Sequence, residues 1–230
     1  MTDLVRGSLK VYAIFKLPNT DQARIRALKA VIAKADTQGI YDMAISLKAL
    51  TDARNYLVRF EAAHLYYVEC FENQSAAGRK HQANVKMARL YLSHFLQVLN
   101  LAVLRSEVRL AHKSFYGLPS DSTSLPDLTS EASIVEWGRK VIDGENKRIS
   151  QGGIPIYNPT VAKVRVHYDI FAESYEKQKN LQALTSRSLE EVSSMRPGVD
   201  ALILNIWNQV EAKFANFLPN EKRLNLCRDY

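Results

Sequence analysis

Glu61-Ala62-Ala63-His64 sets a carboxylate and an imidazole three positions apart. On a helix that spacing puts both on one face, the arrangement by which carboxylate-bridged di-iron bundles hold their metal. Such a centre takes two Glu-x-x-His motifs and two further glutamates, and the chain has no second motif. His94 is the third member of the metal candidate set. Counted outward from the polar stretch at 73–78, where a helical hairpin would turn, it falls level with His64. The plain alternative is a hydrogen-bonded core histidine, because His64 lies between Phe60 and Tyr67 on an apolar stripe.

Nucleophile chemistry has weaker support. Cys70 has Glu69 and Tyr66 nearby but no neighbouring cation to lower its pKa, which is the pattern of a packing residue. The Ser-rich loop at 120–133 contains no Gly-x-Ser-x-Gly, and Gly152-Gly153 is too sparse to cradle a phosphate. Nothing in the chain requires a cofactor. Cys70 and Cys227 stand far apart and outside any Cys-x-x-Cys, so they read as reduced structural thiols of a cytoplasmic protein.

Charge is the more informative cue. The chain has 230 residues, with 31 Lys and Arg against 24 Asp and Glu, a formal charge of +7. Split at residue 117, the first part carries 17 basic and 9 acidic residues and the second 14 and 15, so the excess is one-sided along the sequence. From Asn73 to Ser106 there is no acid, while Arg79, Lys80, Lys86 and Arg89 cluster near one end. Those four are the candidate basic surface, one that a nucleic-acid backbone would favour in a salt-dependent, sequence-independent way. A solvated face balanced by acidic groups elsewhere would look the same. Helix-turn-helix spacing, a zinc pattern and stacking aromatics are all missing from the sequence.

These residues must be positioned by helices, because helical periodicity runs through most of the chain. With 47% hydrophobic residues, 9 Gly and 7 Pro, the composition excludes disordered, collagen-like and disulfide-scaffold classes. A short helix with Ile25, Leu28, Ile32 and Ala35 starts after a cap at Thr20 or Asn19 and stops at Gly39. The stripe Met43, Leu47, Leu50, Leu57, Phe60, Tyr67 and Phe71 predicts a long helix, on which Arg54 is a snorkelling or internally paired residue. After the polar stretch at 73–78, Val85, Ala88, Leu92, Phe95, Leu99, Val103 and Leu110 predict another, ending before Gly117. Joined at 76–79, the two would form an antiparallel hairpin.

Gly117 to Ser130 is the long loop. A short helix with Ile134, Trp137 and Val141 follows, then a helix from Asn158-Pro159 through Val164, Tyr168 and Phe171, then a last one through Leu202, Ile206, Val210 and Phe217. The second hairpin turns at 185–188 or at 196–198. Leu17-Pro18 and Leu125-Pro126 open the two short helices, and the halves read as a duplication of a short, long, long unit.

The expected fold is therefore all-α. It is an elongated up-and-down bundle of four long helices and two short ones, with halves 1–117 and 118–230 packed as one domain. Val11 to Leu17 is bracketed by Lys10 and Lys16 and lacks a secretory pattern. Leu90 to Leu104 falls short of the roughly 20 apolar residues of a spanning helix, so no membrane partner is expected.

The helix at 79–116 carries a second apolar stripe, Met87, Leu90, Val98, Leu101, Leu104 and Val108, and a helix apolar on two faces is buried, its second face covered either by the short helices and the amino-terminal arm or by another subunit. The favoured function is a non-enzymatic interaction or scaffold protein that forms a homodimer through this helix. The other readings are a nucleic-acid-associated bundle and a metal-carboxylate enzyme.

Overall fold

The computed structural model describes residues 17–39 and 41–215, together with Asn225 and Cys227. The apolar stretch before Leu17, Ile40, and the expected helix end at Phe217 to Pro219 lie outside this set. The described chain is all-α: α1 (Asp21–Asp36), α2 (Leu47–Leu104), a 3-10 segment (Leu110–Tyr116), α3 (Glu131–Ser150) and α4 (Val161–Phe214). No strand occurs among the described residues.

Both short helices start in the same way. The Thr20 hydroxyl accepts a hydrogen bond from the Ala23 N–H at 3.2 Å, and the Ser130 hydroxyl accepts one from the Ser133 N–H at 3.0 Å. Asp21 and Glu131 then place a negative charge in the first turn, where free N–H groups and the helix dipole favour it.

The long helices correct the expected hairpins. α2 runs unbroken for 58 residues and α4 for 54, so each expected pair of long helices is one helix. At 73–80 the polar residues Asn73, Ser75, Arg79 and Lys80 are exposed on the helix surface, and a lone Gly78 costs only about 1 kcal/mol against Ala. In α4, Thr185 and Ser188 are buried, and the Thr185 hydroxyl donates to the Leu181 carbonyl at 3.0 Å. Pro197 lies inside the helix. A proline there loses one hydrogen bond and costs ~3 kcal/mol; the buried row Val192, Val199, Leu202, Ile203 and Ile206 holds the helix through it. The helix expected at 79–116 stops at Leu104, where Ser106 turns left-handed with φ 61° and the Glu107 N–H reaches back to the Ala102 carbonyl at 2.9 Å. The 3-10 segment ends at Gly117, whose φ of 70° favours a residue without Cβ.

The chain forms two compact units. Unit 1 comprises Met1–Val68 and Arg187–Tyr230, and unit 2 comprises Glu69–Ser186. The loop at 117–130 lies inside unit 2. There it is tied down by Arg89, which donates to the Leu128 and Thr129 carbonyls at 2.9 and 2.8 Å, by Asn100 to the Thr123 carbonyl at 3.0 Å, and by the buried Lys113 ammonium to the Ser122 carbonyl.

In unit 1 the core joins Ile25, Leu28 and Val31 of α1 to Ala53 and Phe60 of α2 and Val199 and Ile206 of α4. α2 and α4 run antiparallel here: the Ser46 N–H donates to the Gln209 side chain at 2.7 Å, and Tyr56 packs on Gly198 so closely that a Cβ would meet its hydroxyl at 2.7 Å. In unit 2, Leu92, Phe95, Leu96 and Leu99 pack with Tyr116, Ile134, Val141, Val164 and Phe171. The antiparallel pairing of α2 and α4 recurs in this unit, with Tyr91 stacked on His167 at 4.0 Å between ring centroids.

Candidate functional site

The structure separates the metal candidates. Glu61 is ion-paired to Lys29 at 2.5 Å, His64 lies 4.0 Å from an Asp21 oxygen, and both belong to unit 1. His94 is an exposed residue of unit 2. Thirty residues of unbroken helix separate it from His64, so no fold-back brings the two level. Among the described residues no three His, Cys, Asp or Glu side chains are grouped as a metal site would require. Cys70 and Cys227 are buried thiols.

The basic candidates divide as well. Arg79, Lys80 and Lys86 are exposed, but Arg89 is half-buried and holds the loop before α3. The charge excess is also not one-sided in the folded chain. Unit 1 carries 16 basic and 12 acidic residues, unit 2 carries 15 and 12, so the two are nearly equal.

Lys80 lines a cleft of about 170 Å³ with His81, Ser174 and Lys177. His81 is buried and stacks on Phe171; its Nδ1 lies 2.9 Å from the Ser174 hydroxyl and its Nε2 3.1 Å from a Glu131 oxygen. A hydroxyl, an imidazole and a carboxylate in a row suggest nucleophilic catalysis, which also requires donors for an oxyanion. Ser174 sits within α4 and its hydroxyl bonds the Phe171 carbonyl at 2.9 Å; backbone N–H groups there belong to the helix. The row joins α2, α4 and the first turn of α3.

Two charged clusters escaped sequence reasoning. In unit 2, Glu145 and Arg148 are buried side by side, at 0% and 2% side-chain exposure. Glu145 accepts from Arg148 at 2.7 and 2.9 Å, from the Ile156 N–H at 2.8 Å and from the Tyr116 hydroxyl. Arg148 also donates to the Ile154 carbonyl at 2.7 Å and to Tyr116 at 2.9 Å. Burial alone would push the Glu145 carboxyl up, but these donors outweigh it and hold it below the usual range. Burial, with Glu145 beside it, pushes the Tyr116 hydroxyl up. The i,i+3 spacing of Glu145 and Arg148 was the one sequence signal, and it does not distinguish buried pairs from exposed ones.

In unit 1, Arg196 grips Asp21 through two bonds of 2.8 Å and Arg24 grips Asp200 at 2.8 and 2.9 Å. Both guanidinium pKa values rise, chiefly through these hydrogen bonds. The cluster borders a cleft of about 500 Å³ lined also by His64, Tyr67 and Leu189.

Comparison with family models, with curated proteins and with solved structures finds no match.

The remaining surface of α2 is then the most informative. Between residues 87 and 104 one face, with Ala88, Leu92, Phe95, Leu96, Leu99 and Ala102, is in the core of unit 2. On the other face Met87, Leu90, Leu101 and Leu104 are 40%, 50%, 50% and 67% exposed. His94 and Gln97, also exposed, continue the same spacing of three and four, which places all six on one stripe about 26 Å long. Of the other residues expected on the second face, Val108 is buried and Val98 half-buried.

A cleft of about 420 Å³ adjoins the stripe beside Val98, Ala102 and Arg105, and its far wall includes Ile154 and Tyr157, which are 84% and 87% exposed. Two apolar faces make α2 rich in apolar residues overall. One 18-residue window has a mean hydropathy of 1.3, enough by length and composition to cross a membrane, and 39% of it is buried.

Proposed function

We propose that this protein is a non-enzymatic helical interaction module, a scaffold that joins two copies of itself through the exposed stripe of α2. The observation that carries this reading is the exposure of Met87, Leu90, Leu101 and Leu104 along one line of a helix whose opposite face is in the core. Isolated exposed apolar residues are ordinary, whereas two apolar pairs on one line at coiled-coil spacing, with His94 and Gln97 between them, have the form of a helix-pairing seam with a polar centre. Covering a half-exposed leucine stabilises an assembly by roughly 1 kcal/mol, so four such residues supply a useful association energy before its entropic cost.

The nucleic-acid reading has less behind it, because Arg89 is engaged with the loop and the basic excess is shared between the units. The metal-carboxylate reading loses its third residue to the continuity of α2.

Sedimentation of the purified chain tests the proposal. The wild-type protein sediments as a dimer at high micromolar concentration, and the Leu90→Glu, Leu101→Glu variant sediments as a monomer with unchanged helicity and melting temperature. A wild-type chain that stays monomeric overturns it, as does a dimer indifferent to both substitutions.

A further inference from the structure

We infer that the two copies meet antiparallel, about a twofold axis that crosses α2 between His94 and Gln97. This rests on the reading of the stripe as the self-association surface, and it specifies the partner's orientation and register.

A twofold contact must be complementary to itself, since each residue meets on the second copy the residue that meets it in return. The stripe has that property. Met87, Leu90, His94, Gln97, Leu101 and Leu104 read apolar, apolar, polar, polar, apolar, apolar from either end, and the intervals of three, four, three, four and three are the same in both directions. Laid antiparallel in register, Met87 meets the second copy's Leu104, Leu90 meets its Leu101, and His94 meets its Gln97. The polar layers fall at the centre, where an imidazole and a carboxamide offer each other a donor and an acceptor. A parallel pairing would instead set each His94 on its own copy.

In this register Lys86, exposed at one end, falls opposite the second copy's Arg105, just past the other end of the helix. Glu107 offsets that meeting of like charges, because it holds Arg105 through two bonds of 2.7 and 2.9 Å. The exposed Ile154 and Tyr157, across the cleft from Val98 and Ala102, then stand beside the second copy's Met87 end and extend the apolar cover.

Cysteine pairing tests the geometry, in a chain with Cys70 and Cys227 replaced by alanine and shown by sedimentation still to dimerise. Mixed Met87→Cys and Leu104→Cys chains give a disulfide-linked dimer on mild oxidation, and neither variant alone does. Leu101→Cys crosslinking readily to itself would show a parallel pair and overturn the inference while leaving the dimer reading standing. A monomer in sedimentation removes both. If dimerisation appears only once residues 1–16 are deleted, the chain's own amino-terminal segment occupies the stripe and the inference also fails.

Discussion

The two charged clusters place similar groups in different surroundings. In unit 2, Glu145 and Arg148 are enclosed with Tyr116, and the carboxylate has four donors around it. In unit 1, Asp21, Arg24, Arg196 and Asp200 pair at comparable distances, but they border an open cleft and Arg196 is 35% exposed. Hydrogen-bond length alone does not separate these cases. What differs is the consequence of removing one partner, because a charge beside water can be resolvated and a charge inside a core cannot.

The largest effect is therefore expected for Arg148→Met. It strands a buried carboxylate, and urea unfolding should show a loss of about 3–5 kcal/mol. Arg196→Ala, which breaks a pair of the same length in unit 1, should cost ~1 kcal/mol or less. Equal losses would mean that the cleft beside Asp21 is drier than its exposure implies.

Tyr116→Phe comes next. It removes one hydroxyl that donates to Glu145 and accepts from Arg148, and about 1–3 kcal/mol should be lost because both partners are charged.

The acid limb of stability should follow the same division. The folded-state pKa of Glu145 lies below its unfolded value, so its contribution is fully present above the ordinary glutamate range and is lost as pH falls through the depressed value. Thermal melts of the wild type should therefore drop between about pH 5 and the depressed folded value. In Arg148→Met the main donor is gone, and that part of the drop should shrink or vanish. An identical acid limb in the variant would assign it to other carboxylates.

How much of this was legible in the sequence depends on what each signal reports. Helical periodicity and the Thr20 cap gave α1, because apolar spacing and a capping hydroxyl act locally. Polar residues at 73–79 and the pair Pro197-Gly198 looked like turns, because a breaker's cost is local whereas the packing that overrides it is not. Gly198 is instead the point where α4 passes Tyr56. The second apolar face at 87–104 was readable because both faces keep the same helix period; which face the core would take was not, since that depends on α3 and the segment near Tyr116. The clusters at Glu145 and Asp21 were invisible for the same reason: most of their partners come from distant positions, such as Ile156 and Asp200.

The smallest expected effect concerns His64, the residue first singled out for metal chemistry. Its Nδ1 is buried with no protein group in hydrogen-bond range, and the nearest carboxylate oxygen, on Asp21, is 4.0 Å away and already held by Arg196. A buried polar atom without a partner contributes nothing favourable through its polarity, so exchanging the ring for an apolar side chain removes a desolvation cost and little else. His64→Leu should change the unfolding free energy by no more than ~1 kcal/mol, in either direction, because the lost ring volume offsets the relieved nitrogen. A similar change at Glu145, whose oxygens are all engaged, would be severe. If His64→Leu instead destabilises as strongly as Arg148→Met, the open cluster is as tightly coupled as the closed one, and the distinction between them does not hold.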